Sequence, residues 1–314
     1  MKKNLLIVVF FWFMFSEGYA QKPVTGGGIT HYNIVFAPDL SNRLNSSLYP
    51  KPVSDVKIVS DVLARIWPDI TKIRRSVQQM DRFSVDFINK GLIGLYKIDP
   101  AVLTIDISKF ELNQAERIQY LTSASAKKLS TDIKTFSAEY ARINRMASVS
   151  NHGADIWTYF NSGIDANIVL PSFKRSTRNN VYRNILVLFT DGYIEAGIFK
   201  KGFDLSKSKI NDFRKAFNKA GGKDITAFLA ANPKFKVNPV SNPYLKNLEV
   251  LVLEMYDRSL SASGSATVHP TDMEIMKVVW KDWLQNSGVK SFEMYPMASD
   301  PVTANKIIMN YLKK

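Results

Sequence analysis

Three apolar runs constrain the fold of this 314-residue chain more than any other feature. Residues 183–190 (RNILVLFT) and 248–255 (LEVLVLEM) contain continuous apolar stretches, which are typical of central parallel strands covered on both faces. A third run, residues 32–37 (YNIVFA), ends at Pro38 and Asp39. These runs predict a mainly parallel sheet that lies between two layers of helices.

Helical periodicity between these runs supports the same architecture. Apolar residues recur there at spacings of three and four, as on the buried stripe of a helix. The predicted helices cover residues 55–73, 111–146, 204–220 (with Asp204 as N-cap), 271–285 and a last segment from Asp300. Pro68 is expected to kink the first of these helices or end it early, and Thr271 and Glu274 have the spacing of a capping box. Short strands cover 83–88, 102–107 and 291–295, and 223–247 is an irregular connection. The predicted fold class is therefore α/β: a doubly wound, mainly parallel sheet with helices on both faces and one antiparallel edge strand.

Polar residues follow the predicted strands at the edge where such folds bind ligands. In a doubly wound sheet that edge is formed by the carboxyl ends of the strands, near the reversal in strand order. The candidates for a binding site are Asp39, Ser41, Asn42 and Arg43 after the first strand, His152 and Asp155 before the fourth, Thr190, Asp191 and Gly192 after the fourth, and Asp257 and Arg258 after the fifth.

Three of these loops carry motifs in a family-specific order. Asp39-Leu40-Ser41, Gly153-Ala154-Asp155-Ile156 and Thr190-Asp191-Gly192 together resemble the metal-ion-dependent adhesion site of the von Willebrand factor A family. By element order the resemblance covers residues 31–313. It implies a binding domain in which Asp39, Ser41, Asp155 and Asp191 hold Mg²⁺ or Ca²⁺, and a partner protein's acidic side chain occupies the open position.

Two residues depart from the family pattern. Arg43 and Ala154 stand where the family has hydroxyl residues, and an arginine cannot ligate a cation. In one interpretation Asp39 and Asp191 still hold the cation and Arg43 turns away. In another, the Arg43 guanidinium pairs with one of these carboxylates and replaces the cation. In a third, the two aspartates only cap turns and helices.

The N-terminus predicts export. Residues 1–20 contain a basic start, an apolar run and small residues before Gln21, as in a secretory signal peptide, with an uncleaved anchor as the alternative. Residues 21–30 are expected to be a flexible lead-in. Residues 31–314 are expected to form the domain, with insertions at about 108–150 and 221–271. The expected location is the periplasm, the cell surface or the medium, and no membrane-spanning segment is expected after cleavage.

Composition limits the partners and the chemistry. The chain has no cysteine, which excludes disulfides and thiolate sites. Its net charge of +14 suits an anionic envelope surface, and nucleic acid is not expected for an exported protein. It has no G-x-S-x-G elbow, P-loop or G-x-G-x-x-G, so no catalytic residue is predicted. The leading hypothesis is a protein-interaction module. The alternatives are a hydrolase that uses the same carboxylates, with Glu195 as a second acid, and a structural component of the envelope.

Overall fold

The computed structural model describes residues 28–45, 51–73, 78–122, 128–150, 152–175, 178–195, 203–261 and 263–314. The predicted signal peptide and most of the lead-in, residues 21–27, lie outside the described residues. The first strand begins at Ile29, three residues earlier than the apolar run at 32–37 predicts.

A mainly parallel sheet forms the centre of the molecule. Its strands are β1 (Ile29–Pro38), β2 (Arg82–Val85), β3 (Thr104–Asp106), β4 (Phe173–Arg175), β5 (Arg178–Phe189), β6 (Leu248–Met255) and β7 (Ser291–Pro296). They run in the order β3-β2-β1-β5-β6-β7, and β4 pairs with the start of β5. The strands from β2 to β7 along this order are parallel to their neighbours, whereas β3 is antiparallel to β2 and β4 to β5. The predicted α/β class with an antiparallel edge strand is confirmed, and the short strand β4 was not predicted.

Helices cover both faces of the sheet. They are α1 (Asp55–Leu63), α2 (Gly91–Leu95), α3 (Gln114–Thr122), α4 (Leu129–Val149), α5 (Ile156–Thr158), α6 (Lys207–Lys219), α7 (Ile225–Ala231), α8 (Asp272–Asn286) and α9 (Pro301–Leu312). One apolar cluster joins the sheet to α1, α3, α4 and α9, and a second joins it to α5, α6, α7 and α8. Across the described ranges, no helix is both long and apolar enough to cross a membrane.

The consecutive apolar residues of the central strands supply both clusters. In β5, Ile185 and Val187 face the first cluster, while Leu186 and Leu188 face the second. All four side chains are at most 1% exposed. Burying each such side chain stabilises the fold by about 1.5–3 kcal/mol relative to leaving it exposed. A strand buried on both faces therefore needs an uninterrupted apolar run, which is the pattern that predicted it.

The first predicted helix is shorter than its apolar stripe. Helix α1 ends at Leu63, and a separate turn follows at Ile66–Ile70. Within this turn Trp67 has extended backbone angles, φ −123° and ψ 130°, because the residue before a proline is disfavoured in the helical conformation. The apolar periodicity continues through residue 70, so periodicity alone overestimates this helix.

Two other predictions from local signals were wrong. Ser206, and not Asp204, is the N-cap of α6, and its hydroxyl accepts from the Lys209 amide at 3.3 Å. Asp204 instead accepts from the Ser206 hydroxyl at 3.2 Å. The connection at 223–247 also contains a helix, α7, capped by the Asp224 carboxylate. The Asn-Pro pairs that suggested an irregular segment all lie after this helix.

Candidate functional site

The carboxyl ends of β1 and β5 place Asp39 and Asp191 at the same edge of the sheet. The two strands pair in parallel register up to Pro38 and Phe189. The Asp39 amide then donates to the Phe189 carbonyl oxygen at 2.9 Å. Along the chain β1 leads to β2 on one side, and β5 leads to β6 on the other. The two aspartates therefore follow the strands at the switch point, where doubly wound folds bind ligands.

Asp39 is buried and both of its carboxylate oxygens accept hydrogen bonds. The Thr190 hydroxyl donates to Oδ2 at 3.1 Å, and the Ser41 amide donates to Oδ1 at 3.1 Å. Burial raises the pKa of Asp39; the Asp191 carboxylate raises it further, and the positive charge of Arg43 opposes this. Thr190 also accepts from the Gly192 amide at 3.2 Å, so its hydroxyl joins the two strand ends.

Asp191 is held by an arginine from a third loop. Its Oδ2 pairs with Arg258 Nη2 at 2.5 Å, and its Oδ1 accepts from the Tyr193 amide at 3.2 Å. The Arg258 guanidinium lies 3.9 Å from the centre of the Tyr193 ring. The Arg258 amide also donates to the Tyr193 hydroxyl at 3.2 Å. Stacking and hydrogen bonding together orient this guanidinium toward Asp191.

A buried carboxylate binds the hydroxyl of Tyr193 and fixes its position. The Tyr193 hydroxyl donates to Asp272, the first residue of α8, which also accepts from Lys207 and Arg214. Burial alone would raise the pKa of Asp272, but the hydrogen bonds from Lys207, Tyr193 and Arg214 lower it overall. Asp272 therefore remains ionised while fully buried, and it connects the Asp191 loop to the second helical layer.

Arg43 faces away from the two aspartate side chains. Its Nε donates to the main-chain carbonyl of Asp39 at 2.7 Å, and its guanidinium pairs with Asp55 at the start of α1. Lys51 Nζ pairs with the same Asp55 carboxylate at 2.8 Å. The interpretation in which the Arg43 guanidinium pairs with Asp39 or Asp191 is therefore wrong. The short turn Asn42–Leu44 directs Arg43 toward α1, where it is 1% exposed.

Two of the predicted acidic residues hold helix ends. Asp155 caps α5, where its carboxylate accepts from the Thr158 amide at 2.9 Å and the Thr158 hydroxyl at 2.8 Å. Asp257 accepts from the Ser259 amide at 2.8 Å and from the Met273 amide at 3.1 Å, which ties the loop after β6 to α8. Both carboxylates are thus engaged in local structure.

Gly192 and His152 have different environments. Gly192 has φ +90°, and a Cβ there would lie 2.9 Å from Met255 Cε and 3.1 Å from Met276 Sδ. The left-handed backbone favours glycine at this turn, and an added Cβ would have to displace the ends of two methionine side chains. His152 is exposed, and its ring lies 5.8 Å from the ring of Tyr96.

A cavity of about 750 Å³ lies above these loops. Its wall is formed by Asp39, Ser41, Asn42, Arg43, Ile88, Asn89, Lys90, His152, Gly153, Ala154, Asp155, Thr158, Tyr159, Ser162, Gly163, Asp191, Tyr193, Glu195 and Arg258. All the predicted site residues line the cavity except Thr190, Gly192 and Asp257. These three residues lie in the loops that form the wall but do not line the cavity. Its size suits a small molecule or the tip of a partner loop.

Sequence reasoning missed the part of the wall that follows β2. Asn89 and Lys90 line the cavity because β2 is parallel to β1, so its carboxyl end reaches the same edge. The Lys90 ammonium pairs with Asp86, and Tyr159 donates to the other oxygen of Asp86 at 2.8 Å. A prediction that β2 lies beside β1 would have identified this loop. The alternating pattern of β2 indicated only that β2 and β3 form an antiparallel pair at the side of the sheet.

The residues present fit a divalent cation poorly. Asp39 and Asp191 would supply carboxylate oxygens and Ser41 a hydroxyl, but the Asp191 carboxylate already pairs with Arg258. A cation bound to Asp191 Oδ2 would have to displace this guanidinium. Among the described residues, no group of three or more His, Cys, Asp and Glu side chains is arranged to hold a metal ion.

Comparison with known protein families and with curated protein sequences finds no match to this chain. The fold and the site by themselves define a class: an α/β protein with a doubly wound sheet and a polar cavity at its switch point.

Proposed function

We propose that this chain is an exported interaction module of the von Willebrand factor A type. The observation that carries the proposal is the cavity at the switch point, because loops from β1, β2, β5 and β6 and the segment before β4 contribute to a single wall. The residues at this wall include most of those that the family resemblance selected. Export is supported by the signal-peptide pattern of residues 1–20. The protein would then work in the periplasm, at the cell surface or outside the cell.

Binding of a partner protein suits the chemistry of this wall better than catalysis does. Each carboxylate at its centre is engaged by a hydrogen bond or an ion pair, as described for Asp39, Asp155 and Asp191. A general base needs a free oxygen within hydrogen-bonding reach of a nucleophile. Arg258 has a side chain that is 22% exposed, and it offers a positive charge to the cavity. We propose that the partner presents an acidic side chain to it.

Site-specific photo-cross-linking in the host envelope tests this function. The photoreactive residue is placed at Asn42, which is exposed at the cavity, and in a matched control at Asn247, an exposed asparagine just before β6 at the opposite edge of the sheet. We expect a discrete protein adduct from position 42 and none from position 247. The adduct should weaken when Arg258 is replaced by glutamate.

Three results would count against this proposal. Equal adducts from positions 42 and 247 would indicate contact without use of the cavity. An adduct at position 42 that is unaffected by Arg258→Glu would show that the partner does not use the arginine. If anionic vesicles capture the protein in a salt-sensitive manner while position 42 yields no adduct, the basic surface and an envelope role replace the cavity.

A further inference from the structure

We infer that Arg258 is a built-in counter-charge that makes the switch-point site independent of divalent cations. The resemblance to metal-dependent adhesion sites implies a cation between Asp39 and Asp191. The structure places an arginine from the β6 loop beside Asp191 instead. The cationic residue that the sequence suggested for this role, Arg43, pairs elsewhere.

The charges around the two aspartates are compensated without a metal. Three carboxylates and three cationic groups form a continuous set beside the cavity, and three minus three leaves no net charge. The buried Glu254 carboxyl also lies near Arg43 and Lys51, but burial raises its pKa and so disfavours a fourth negative charge. Each carboxylate in the set is less than a tenth exposed. The six residues are Asp39, Asp55, Asp191, Arg43, Lys51 and Arg258.

A divalent cation would add two positive charges to this balanced set. A second cation, Arg43, lies behind Asp39; it is 1% exposed and cannot move into solvent without breaking its bonds to Asp55 and to the Asp39 carbonyl. Like charges that are poorly screened by water repel strongly. Cation binding would therefore require Arg258 to leave Asp191.

Arg258 is also held in place independently of Asp191. Its guanidinium stacks on Tyr193, and its amide donates to the Tyr193 hydroxyl. That hydroxyl is itself fixed by Asp272, which is fully buried. The arginine is thus preorganised, so a cation would compete with an ion pair that needs little ordering.

Removal of the arginine should create the site that it replaces. In Arg258→Ala, Asp191 loses its counter-charge, and its oxygens together with those of Asp39 can receive a hard cation. We expect the melting temperature of the unaltered protein to be the same in EDTA and in excess Mg²⁺, Ca²⁺ or Mn²⁺. The melting temperature of Arg258→Ala should rise with cation, by about 5 °C at a hundredfold excess over Kd. The rise should disappear in Arg258→Ala/Asp39→Asn.

Arg183 provides the matched control. It pairs with Glu249 at 2.8 Å, lies 5.5 Å from the Tyr311 ring and has a side-chain exposure of 16%, close to that of Arg258, but it sits at the opposite edge of the sheet. Arg183→Ala leaves the Glu249 carboxylate without one of its two cationic partners, and Lys290 still pairs with it. It should be destabilised without gaining any response to cations.

Direct binding of Mn²⁺, measured by electron paramagnetic resonance on the unaltered protein and on Arg258→Gln, tests the inference even if Arg258→Ala does not fold. Mn²⁺ bound by the unaltered protein and lost in Asp191→Asn would overturn the inference. A folded Arg258→Ala or Arg258→Gln protein that gains no Mn²⁺ would also overturn it. Cation binding is measured without a partner, so its outcome is separate from that of the cross-linking experiment.

Discussion

Asp55→Asn is the substitution whose effect follows most directly from the buried charges. Asp55 is 2% exposed, and its carboxylate pairs with Arg43 and Lys51. An asparagine has nearly the same shape but carries no charge. The replacement therefore leaves the Arg43 guanidinium buried without its anionic partner.

The size of the effect follows from the pKa of Asp55 and from the cost of removing one partner of a buried ion pair. Burial alone would raise the pKa of Asp55, but Arg43 and Lys51 lower it from 3.8 to about 2. A shift of this size corresponds to roughly 2–3 kcal/mol of folding free energy at neutral pH. Removal of one partner from a buried ion pair typically costs about 3–5 kcal/mol, because the remaining charge is uncompensated. We expect the free energy of unfolding to fall by about 3 kcal/mol.

The pH dependence has a definite sign. The folded-state pKa of Asp55 lies below its unfolded value, so between these values the unfolded chain binds more protons. Asp55 therefore stabilises the fold above about pH 4, and its contribution is lost as the pH falls toward about 2. The difference in stability between the unaltered protein and Asp55→Asn should shrink over this range.

Urea unfolding at a series of pH values, followed by tryptophan fluorescence, measures this difference. Asp61→Asn is the control on the same helix, because its carboxylate is 27% exposed and pairs with Lys57 at the surface. It should cost about 0.5 kcal/mol or less. A cost below about 1 kcal/mol for Asp55→Asn, with no change between pH 5 and pH 2, would refute the assigned role of the buried pair.

Two further predictions concern the turn after β5. Thr190→Val should reduce the free energy of unfolding by about 1–3 kcal/mol in chemical denaturation, because Asp39 Oδ2 and the Gly192 amide lose their buried partner, whereas Thr190→Ser should be nearly neutral. An equal loss from serine would point to packing of the methyl group. Gly192→Ala should cost about 2 kcal/mol or more, since φ is +90° and Met255 lies 2.9 Å from the added carbon. The matched control, Gly221→Ala, has φ +63° and open space, so a similar melting temperature for both variants would contradict the steric part of this argument.

The main strands could be predicted because they depend on local patterns. Strand β6 has the predicted limits, residues 248–255, because every position in it must be apolar or paired to lie between two helical layers. The capping box of Thr271 and Glu274 is also present at the start of α8, since both partners are three residues apart. The break expected at Pro68 is present, since Trp67 has extended backbone angles, although helix α1 already ends at Leu63 while the apolar stripe continues.

The ion pairs of the site could not be predicted in the same way. Arg258 lies 67 residues from Asp191 along the chain, and Tyr193 lies 79 residues from Asp272. No spacing rule relates such residues. Arg43 is only 12 residues from Asp55, but the direction of its side chain depends on the turn Asn42–Leu44 and on the position of α1.

Local apolar periodicity determined the α/β class, the antiparallel edge and the edge of the sheet at which polar loops collect. These features depend on which residues are buried away from water. The apolar pattern within each segment indicates this without reference to the rest of the chain. The tertiary structure decided which charges meet there. Arg258 and not Arg43 reaches Asp191, because ion pairing depends on distances of a few ångströms between loops that only the packed sheet brings together.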